Sequence, residues 1–209
     1  MGFFQWFVRI TGFPAILLLF RPKRYFEGGR MPESGRRGGV IIASNHTSLM
    51  DYGAILFAFP LRCIRCAVAE IMYRKNVFMS LLLRLLGCIR VDRENHDFSF
   101  LAKCEKVLHK RGCVLIFPEA RLPRKEEERP LPFKTSAVHL ALETGAPILP
   151  VYTDGRYFGK GRNRIAVGEP IYPKDLYDEG LSYKENVEHI NDHLRGKIIE
   201  LGRDYCQGE

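Results

Sequence analysis

The chain has 209 residues and a formal net charge of +8, with 46% hydrophobic and 27% charged residues. This length and composition exclude a disordered or fibrous chain and are typical of one globular domain with its own hydrophobic core. The basic balance indicates an anionic partner. No basic stripe is interleaved with aromatic residues, so we expect a phosphorylated or lipid partner and no nucleic acid.

The N-terminal stretch is apolar, but Gln5 and Arg9 interrupt it, and basic residues follow residues 3–20. A signal peptide would place its charge first, and this stretch does not. An interrupted apolar stretch followed by basic residues favours a helix that lies in the membrane interface, which we place on the cytoplasmic face. The alternative is a buried N-terminal helix of the core, and whether the stretch spans a bilayer stays open. Residues 1–26 are thus predicted to be a membrane-associating segment, and residues 27–209 a single domain.

Apolar runs of two different periods alternate along the rest of the chain. We predict strands at residues 40–43, 63–69, 113–117, 148–153 and 164–167, with a short strand within 87–93. Helices are predicted at residues 52–59, 74–86, 98–110, 135–144 and 183–205. This alternation predicts an α/β fold, a single domain with a mixed, mostly parallel sheet flanked by helices.

The predicted helix over residues 74–86 is apolar around most of its circumference. Such a helix belongs either to the centre of the core or against lipid or an acyl chain, and the core is the simpler expectation. The six cysteines include Cys63-x-x-Cys66, but no second pair or nearby histidine run completes a zinc site. We expect reduced, buried thiols of a cytosolic protein, and neither a metal nor a cofactor.

His46 and Asp51 lie between the predicted strand at 40–43 and the helix at 52–59. Five helical residues rotate a side chain by about 140°, so the two can meet only if His46 lies on the loop and Asp51 on the helix. Asp51 would then accept a hydrogen bond from one imidazole nitrogen and leave the other as a general base. The alternative is a polar loop followed by an ordinary helix start, which Thr47 or Ser48 could cap.

Four blocks, each near a predicted strand end or turn, form an ordered series. They are Asn45-His46-x4-Asp51, Gly87-x-Ile89-Arg90-Val91-Asp92-Arg93, Phe117-Pro118-Glu119-Ala120-Arg121 and Ala146-Pro147-Ile148-Leu149-Pro150-Val151. In this order the chain, from about residue 20 to residue 151, resembles the glycerophospholipid acyltransferase family, the 1-acylglycerol-3-phosphate acyltransferases. The resemblance implies the fold of glycerol-3-phosphate acyltransferase for residues 27–209, with His46 as general base and Asp51 as its orienting partner.

The resemblance also implies a site for the acceptor. Arg93, Glu119 and Arg121 would hold the glycerol phosphate, and Lys134, in a Phe-Lys pair that leads into a helix, would join them. One departure is that Ala120 stands where the family has glycine and is followed at once by the arginine, so that loop is one residue shorter or its arginine is displaced. Each arginine could instead pair with neighbouring charges on the surface.

The implied activity moves a fatty acyl group from acyl-CoA or acyl carrier protein to the free hydroxyl of a lysophospholipid. The implied acceptor is 1-acylglycerol-3-phosphate, also called lysophosphatidic acid, which would give phosphatidic acid in phospholipid biosynthesis at an anionic membrane surface. Two alternatives stay open: another lysolipid acceptor, and a non-catalytic lipid-binding protein of the same fold.

Overall fold

A computed structural model describes residues 2–19, 22–92, 99–124, 126–127, 129–158 and 162–206. Strands in this part of the chain are β1 (Lys23–Phe26), β2 (Val40–Ser44), β3 (Ile64–Ala69), β4 (Ile89–Val91), β5 (Cys113–Ile116), β6 (Ile148–Thr153) and β7 (Arg164–Val167). Its helices are α1 (Gly2–Leu19), α2 (Glu33–Arg36), α3 (Asp51–Ala58), α4 (Glu70–Arg74), α5 (Val77–Leu85), α6 (Ser99–His109), α7 (Ser136–Thr144) and α8 (Tyr183–Cys206), with a 3-10 helix at Pro173–Leu176.

The strands form one sheet in the order β1-β7-β6-β2-β5-β3-β4. Every neighbouring pair is parallel except β6 with β7, which is antiparallel. The predicted mixed, mostly parallel sheet is therefore confirmed. Because β5 and β6 flank β2 in parallel, the carboxyl ends of these three strands meet at one edge of the sheet.

Both faces of the sheet are covered by helices. All five residues of β2 are buried, and Val40 and Ile42 pack into one core cluster while Ile41 and Ala43 pack into the other. Helix α3 contributes to the first cluster, with α1 and α5 packed against it, whereas α6, α7 and α8 contribute to the second. This two-sided burial explains why the central strands are uninterrupted apolar runs instead of alternating ones.

Two features of the fold differ from the sequence analysis. Strand β1 was not predicted; it pairs with β7, so the sheet includes residues that the sequence analysis assigned to the N-terminal segment. The helix predicted over residues 74–86 begins only at Val77, as α5, because Asn76 caps it, and a separate short helix, α4, precedes it. The Asn76 side chain accepts a hydrogen bond of 2.6 Å from the backbone N–H of Met79, which favours a new helix start there.

Helix α1 packs on the domain through its polar residues. The Gln5 amide donates to the carbonyls of Ile64 (2.7 Å) and Leu86 (2.6 Å), and the Arg9 guanidinium donates to three backbone carbonyls at and beyond the end of α3. The opposite side of the helix exposes Trp6 and other large apolar side chains. One side of this helix is thus packed on the domain, as the core alternative expects, and its opposite side is exposed. Within the described residues, no helix is long and apolar enough to cross a bilayer.

Candidate active site

The candidate site lies where the carboxyl ends of β2, β5 and β6 meet. His46 follows β2 by two residues, Glu119 follows β5 by three, and Tyr157 follows β6 by four. In α/β sheets this edge is where ligands bind, since loops rather than packed strands form it. Asn45 joins two of these loops: its amide donates to the carbonyl of Thr153 (2.9 Å) and accepts from the Thr153 N–H (2.8 Å).

The predicted contact between His46 and Asp51 is confirmed. The Nδ1 atom of His46 lies 2.9 Å from Oδ2 of Asp51, with the histidine on the loop and the aspartate at the first residue of α3. An ionised carboxylate can only accept, so Nδ1 carries the hydrogen and Nε2 keeps a lone pair. Among the described residues Nε2 has no hydrogen-bond partner, and the His46 side chain is 17% exposed. This is the tautomer that a general base requires.

Asp51 is completely buried and accepts five hydrogen bonds. Its Oδ2 accepts from the imidazole and from the backbone N–H groups of Thr47 (2.6 Å) and Ser48 (2.8 Å). Its Oδ1 accepts from the hydroxyls of Thr47 (2.8 Å) and Tyr157 (2.7 Å). The predicted capping by Thr47 or Ser48 does not occur, because the aspartate instead accepts from these two residues. So many donors fix the carboxylate, and through it the plane of the imidazole.

Glu119 holds the backbone of the histidine. Its Oε1 accepts from the His46 N–H (2.7 Å) and its Oε2 from the Leu131 N–H (2.9 Å), while the residue is 5% exposed. Burial raises the pKa of this carboxyl, and the two N–H donors oppose that rise. The Phe117 ring also stacks on the imidazole, with centroids 4.2 Å apart. Both carboxylate oxygens thus accept from the chain itself, and Glu119 holds the backbone of His46.

Arg121 extends into the charged loop instead of toward the histidine. It is exposed, and its two terminal nitrogens each lie 2.6 Å from an oxygen of Glu127, which is the surface pairing left open by the sequence. This pairing lowers the pKa of Glu127 to about 2. The preceding Ala120 has a φ of 63°, in the left-handed region that glycine occupies without strain. The alanine therefore adopts a backbone conformation that costs a non-glycine residue about 1–2 kcal/mol.

Of the two remaining predicted residues, Lys134 is the one that the structure describes. Lys134 is exposed two residues before α7, and its backbone N–H donates to the carbonyl of Pro118 at 2.8 Å. This bond ties the Lys134 segment to the loop that carries Glu119. Arg93 lies outside the described residues.

Tyr157 and the Thr47 hydroxyl are site residues that the sequence analysis missed. Tyr157 is 106 residues from Asp51 in the chain, so no local spacing could connect them. Burial raises its pKa, which keeps the phenol protonated as a donor to the carboxylate. A usable signal was its position shortly after β6, since every polar residue that follows a central parallel strand is a candidate for this edge.

The arrangement can take a proton from a substrate. A buried carboxylate orients a partly exposed imidazole, and the free nitrogen can accept the proton of an alcohol or water. When the imidazole becomes charged, the carboxylate 2.9 Å away stabilises it. The geometry thus suits general-base chemistry.

Comparisons with known proteins agree with this chemistry. A family model described as Acyltransferase matches residues 26–154. The chain is 28% identical over 182 residues to the 1-acyl-sn-glycerol-3-phosphate acyltransferase of Cocos nucifera, covering 79% of this chain and 58% of that protein. It is 30% identical over 173 residues to the protein of the same name from Borreliella burgdorferi, covering 79% and 66%. The chain thus spans less than two thirds of the length of these relatives.

A solved structure supports the fold. The crystal structure of the 1-acyl-sn-glycerophosphate (LPA) acyltransferase PlsC from Thermotoga maritima superposes with a TM-score of 0.67. The match covers 97% of this chain and 81% of that chain at 21% sequence identity. At this identity the likeness establishes a shared fold, which confirms the predicted architecture.

Proposed function

The chain belongs to the acyltransferase family, and from this premise we propose that it esterifies the free hydroxyl of a lysophospholipid with a fatty acyl group. The acceptor we propose is 1-acylglycerol-3-phosphate, with phosphatidic acid as the product, in phospholipid biosynthesis. Two relatives from distant organisms carry that acceptor in their names, which supports this choice.

One observation carries the proposal: Asp51 fixes His46 in the tautomer whose free nitrogen is a base. The Nε2 atom takes the proton of the acceptor hydroxyl while the oxygen attacks the thioester carbonyl. The C–S bond then breaks, and the imidazolium returns the proton to the leaving thiolate. No acyl group is transferred to the protein, because the alcohol attacks directly in a ternary complex.

The acceptor phosphate would be bound by basic residues around the site. We propose Arg121 and Lys134 for this role, with Arg93 as a third cation and Glu119 as the residue that holds the histidine loop. Arg121 must exchange the Glu127 carboxylate for the phosphate, which presents the same two-oxygen geometry to a guanidinium. The net charge of +8 also favours the anionic donors, acyl-CoA and acyl carrier protein.

We further propose that residues 1–26 associate with the membrane at its cytoplasmic face through α1. Phe3, Trp6, Phe7 and Ile10 are 45–84% exposed on one side of this helix. Aromatic and aliphatic side chains of this kind enter the headgroup region, where their burial is favourable. Deletion of the segment would also remove the contacts of Gln5 and Arg9, so Trp6→Ser with Phe7→Ser is the cleaner test.

The activity is tested with a labelled acyl thioester and 1-acylglycerol-3-phosphate in mixed micelles. His46→Ala should abolish transfer but keep the fold, since Glu119 bonds the backbone of residue 46 and not its ring. His189→Ala, an exposed histidine on α8, is the matched control and should retain full activity. Normal turnover by His46→Ala would exclude the proposed base. Lipid binding without transfer from any donor would favour a lipid-binding protein.

The pairing of Arg121 with Glu127 favours one second candidate, an acyltransferase whose acceptor is a lysolipid without a terminal phosphate. In that case the guanidinium would stay with its carboxylate during catalysis. A panel of lysolipids with and without the phosphate separates the two, since Arg121→Gln should weaken transfer to the phosphorylated acceptor alone if the arginine binds phosphate.

A further inference from the structure

Helix α5 turns large apolar side chains toward solvent. Val77, Phe78, Leu81 and Leu85 are 86%, 74%, 54% and 40% exposed, and their spacing places them along one side of the helix. The opposite side packs into the core, where Leu83 is 7% exposed. The expectation of a core helix therefore holds for one side of α5. A continuous apolar ridge of this kind on a domain surface generally marks a contact with another body.

The ridge lies on the same side of the sheet as the exposed face of α1. Both helices pack against the core cluster that contains α3. Gln5 fixes the position of α1 relative to the end of α5, because its amide donates to the carbonyl of Leu86, directly after α5, at 2.6 Å. In the part of the chain that the structure describes, helices α1 and α5 together expose eight large apolar side chains on their side of the sheet. Among the described residues, the side covered by α6, α7 and α8 exposes five, namely Tyr172, Tyr177, Leu181, Tyr183 and Ile199.

Cations flank the ridge. Arg74 and Lys75 precede α5 and Arg84 lies in its last turn, all of them exposed. Beside the helix a cleft of about 520 Å³ is lined by Arg65, Arg84, Arg90 and Lys103 together with apolar atoms. Glu70 bonds Arg74 and Arg90 at its edge and offsets part of this charge. The surroundings of the ridge keep a net positive charge.

We propose that α5 is a second membrane-docking element, which inserts its ridge below the headgroups of an anionic bilayer while Arg74, Lys75 and Arg84 contact the lipid phosphates. Side chains this exposed protrude from the surface, which suits insertion into an interface better than enclosure of a single acyl chain. Apolar residues bordered by lysine and arginine match the apolar interior and charged surface of such a bilayer.

Docking through α5 would orient the catalytic edge. A domain that contacts the bilayer through α1 alone can rotate about that contact. A second contact through α5, on the same side of the sheet, restricts the rotation. This extension rests on the proposed function, in which a lysolipid held in the bilayer must reach His46. It predicts that loss of the ridge impairs acylation of membrane-held acceptor more than acylation of dissolved acceptor.

The test measures sedimentation of the full chain with vesicles of phosphatidylcholine, with and without phosphatidylglycerol. The ridge variant Val77→Ser, Phe78→Ser, Leu81→Ser should bind both kinds at least about tenfold more weakly, since each lost apolar side chain removes favourable burial. The charge variant Lys75→Gln, Arg84→Gln should lose about fivefold per charge, on the phosphatidylglycerol vesicles alone. Thermal midpoints should stay unchanged, because the substituted residues are exposed.

The control is the variant Tyr172→Ser, Leu181→Ser, Ile199→Ser, which removes exposed apolar side chains from the other side of the sheet. It should bind vesicles like the unmodified chain. Equal binding by the ridge variant and the unmodified chain would overturn the proposal, and so would an equal loss in the control variant.

Activity assays separate this proposal from the proposed function. With a short-chain lysolipid dissolved below its micelle concentration, the ridge variant should turn over at the unmodified rate, whereas its rate on vesicle-held acceptor should fall with its binding. An inactive unmodified chain would count against the acyltransferase activity, while the sedimentation result would still decide whether α5 docks. Equal rate losses on dissolved and vesicle-held acceptor would contradict a docking role.

Discussion

Replacing Asp51 by asparagine should remove the charge of the buried carboxylate with little change in shape. The Oδ2 atom accepts three N–H groups, which an amide oxygen can still accept. The Oδ1 atom accepts two hydroxyls, from Thr47 and Tyr157, and hydroxyls can rotate to accept from the new NH₂ group. We therefore expect the imidazole to keep its orientation and tautomer, so that Asp51→Asn tests the charge alone.

The size of the effect follows from the distance between the charges. The imidazolium and the carboxylate have centres about 4 Å apart, and at an effective dielectric constant of about 20 their attraction is about 4 kcal/mol. Loss of that attraction when the imidazole becomes charged should lower the rate of acyl transfer about a thousandfold. The free energy of unfolding should fall by about 1–2 kcal/mol, since every hydrogen bond keeps a partner. Asp51→Ala would remove the acceptor of five donors at once and should compromise folding.

The assay combines initial rates with denaturant unfolding and an imidazole ¹⁵N spectrum that reports the tautomer. Asp154→Asn is the matched control, because Oδ1 of Asp154 also accepts three N–H groups after β6 but makes no contact with His46. The control should lose stability to a similar degree and keep its activity. If Asp51→Asn keeps its tautomer and loses less than about tenfold in rate, the inference that the carboxylate charge stabilises the transition state is wrong.

Three further outcomes are expected. Tyr157→Phe should lower the free energy of unfolding by about 1 kcal/mol and the transfer rate about fivefold, because Asp51 loses one donor. Ala120→Gly should raise the free energy of unfolding by up to about 1 kcal/mol, since glycine adopts positive φ without strain. By NMR titration the Glu127 carboxyl should have a pKa of about 2, and Arg121→Gln should return it toward 4.5. The pairing of ionised Glu127 with Arg121 therefore stabilises the loop fully above pH 4.5, and this stabilisation is lost as the pH falls toward 2.

Each of these outcomes has a result that would contradict it. An unchanged rate in Tyr157→Phe would mean that the phenol does not position Asp51. A less stable Ala120→Gly would mean that the left-handed turn carries no strain. Saturation with phosphorylated lysolipid should raise the pKa of Glu127 if Arg121 moves to the phosphate, and an unmoved titration would mean that this arginine stays in the loop.

Local patterns in the sequence determined the elements and the central pair of the site. The apolar periods predicted β2, α3, β5, β6 and α8 within one or two residues of their ends. Because His46 and Asp51 are joined by a strand end, a short loop and a helix start, their contact follows from local geometry. The four ordered blocks likewise identified the family from residue types alone.

Contacts between distant segments were decided by the tertiary structure. The bond from Tyr157 to Asp51 and the clamp of Glu119 on the His46 backbone depend on which strand ends are neighbours in the sheet, and no periodicity encodes that order. The exposed ridge of α5 has the same origin. A helix that is apolar all round has no preferred side, so only its packing against the sheet determines which residues are buried and which face outward.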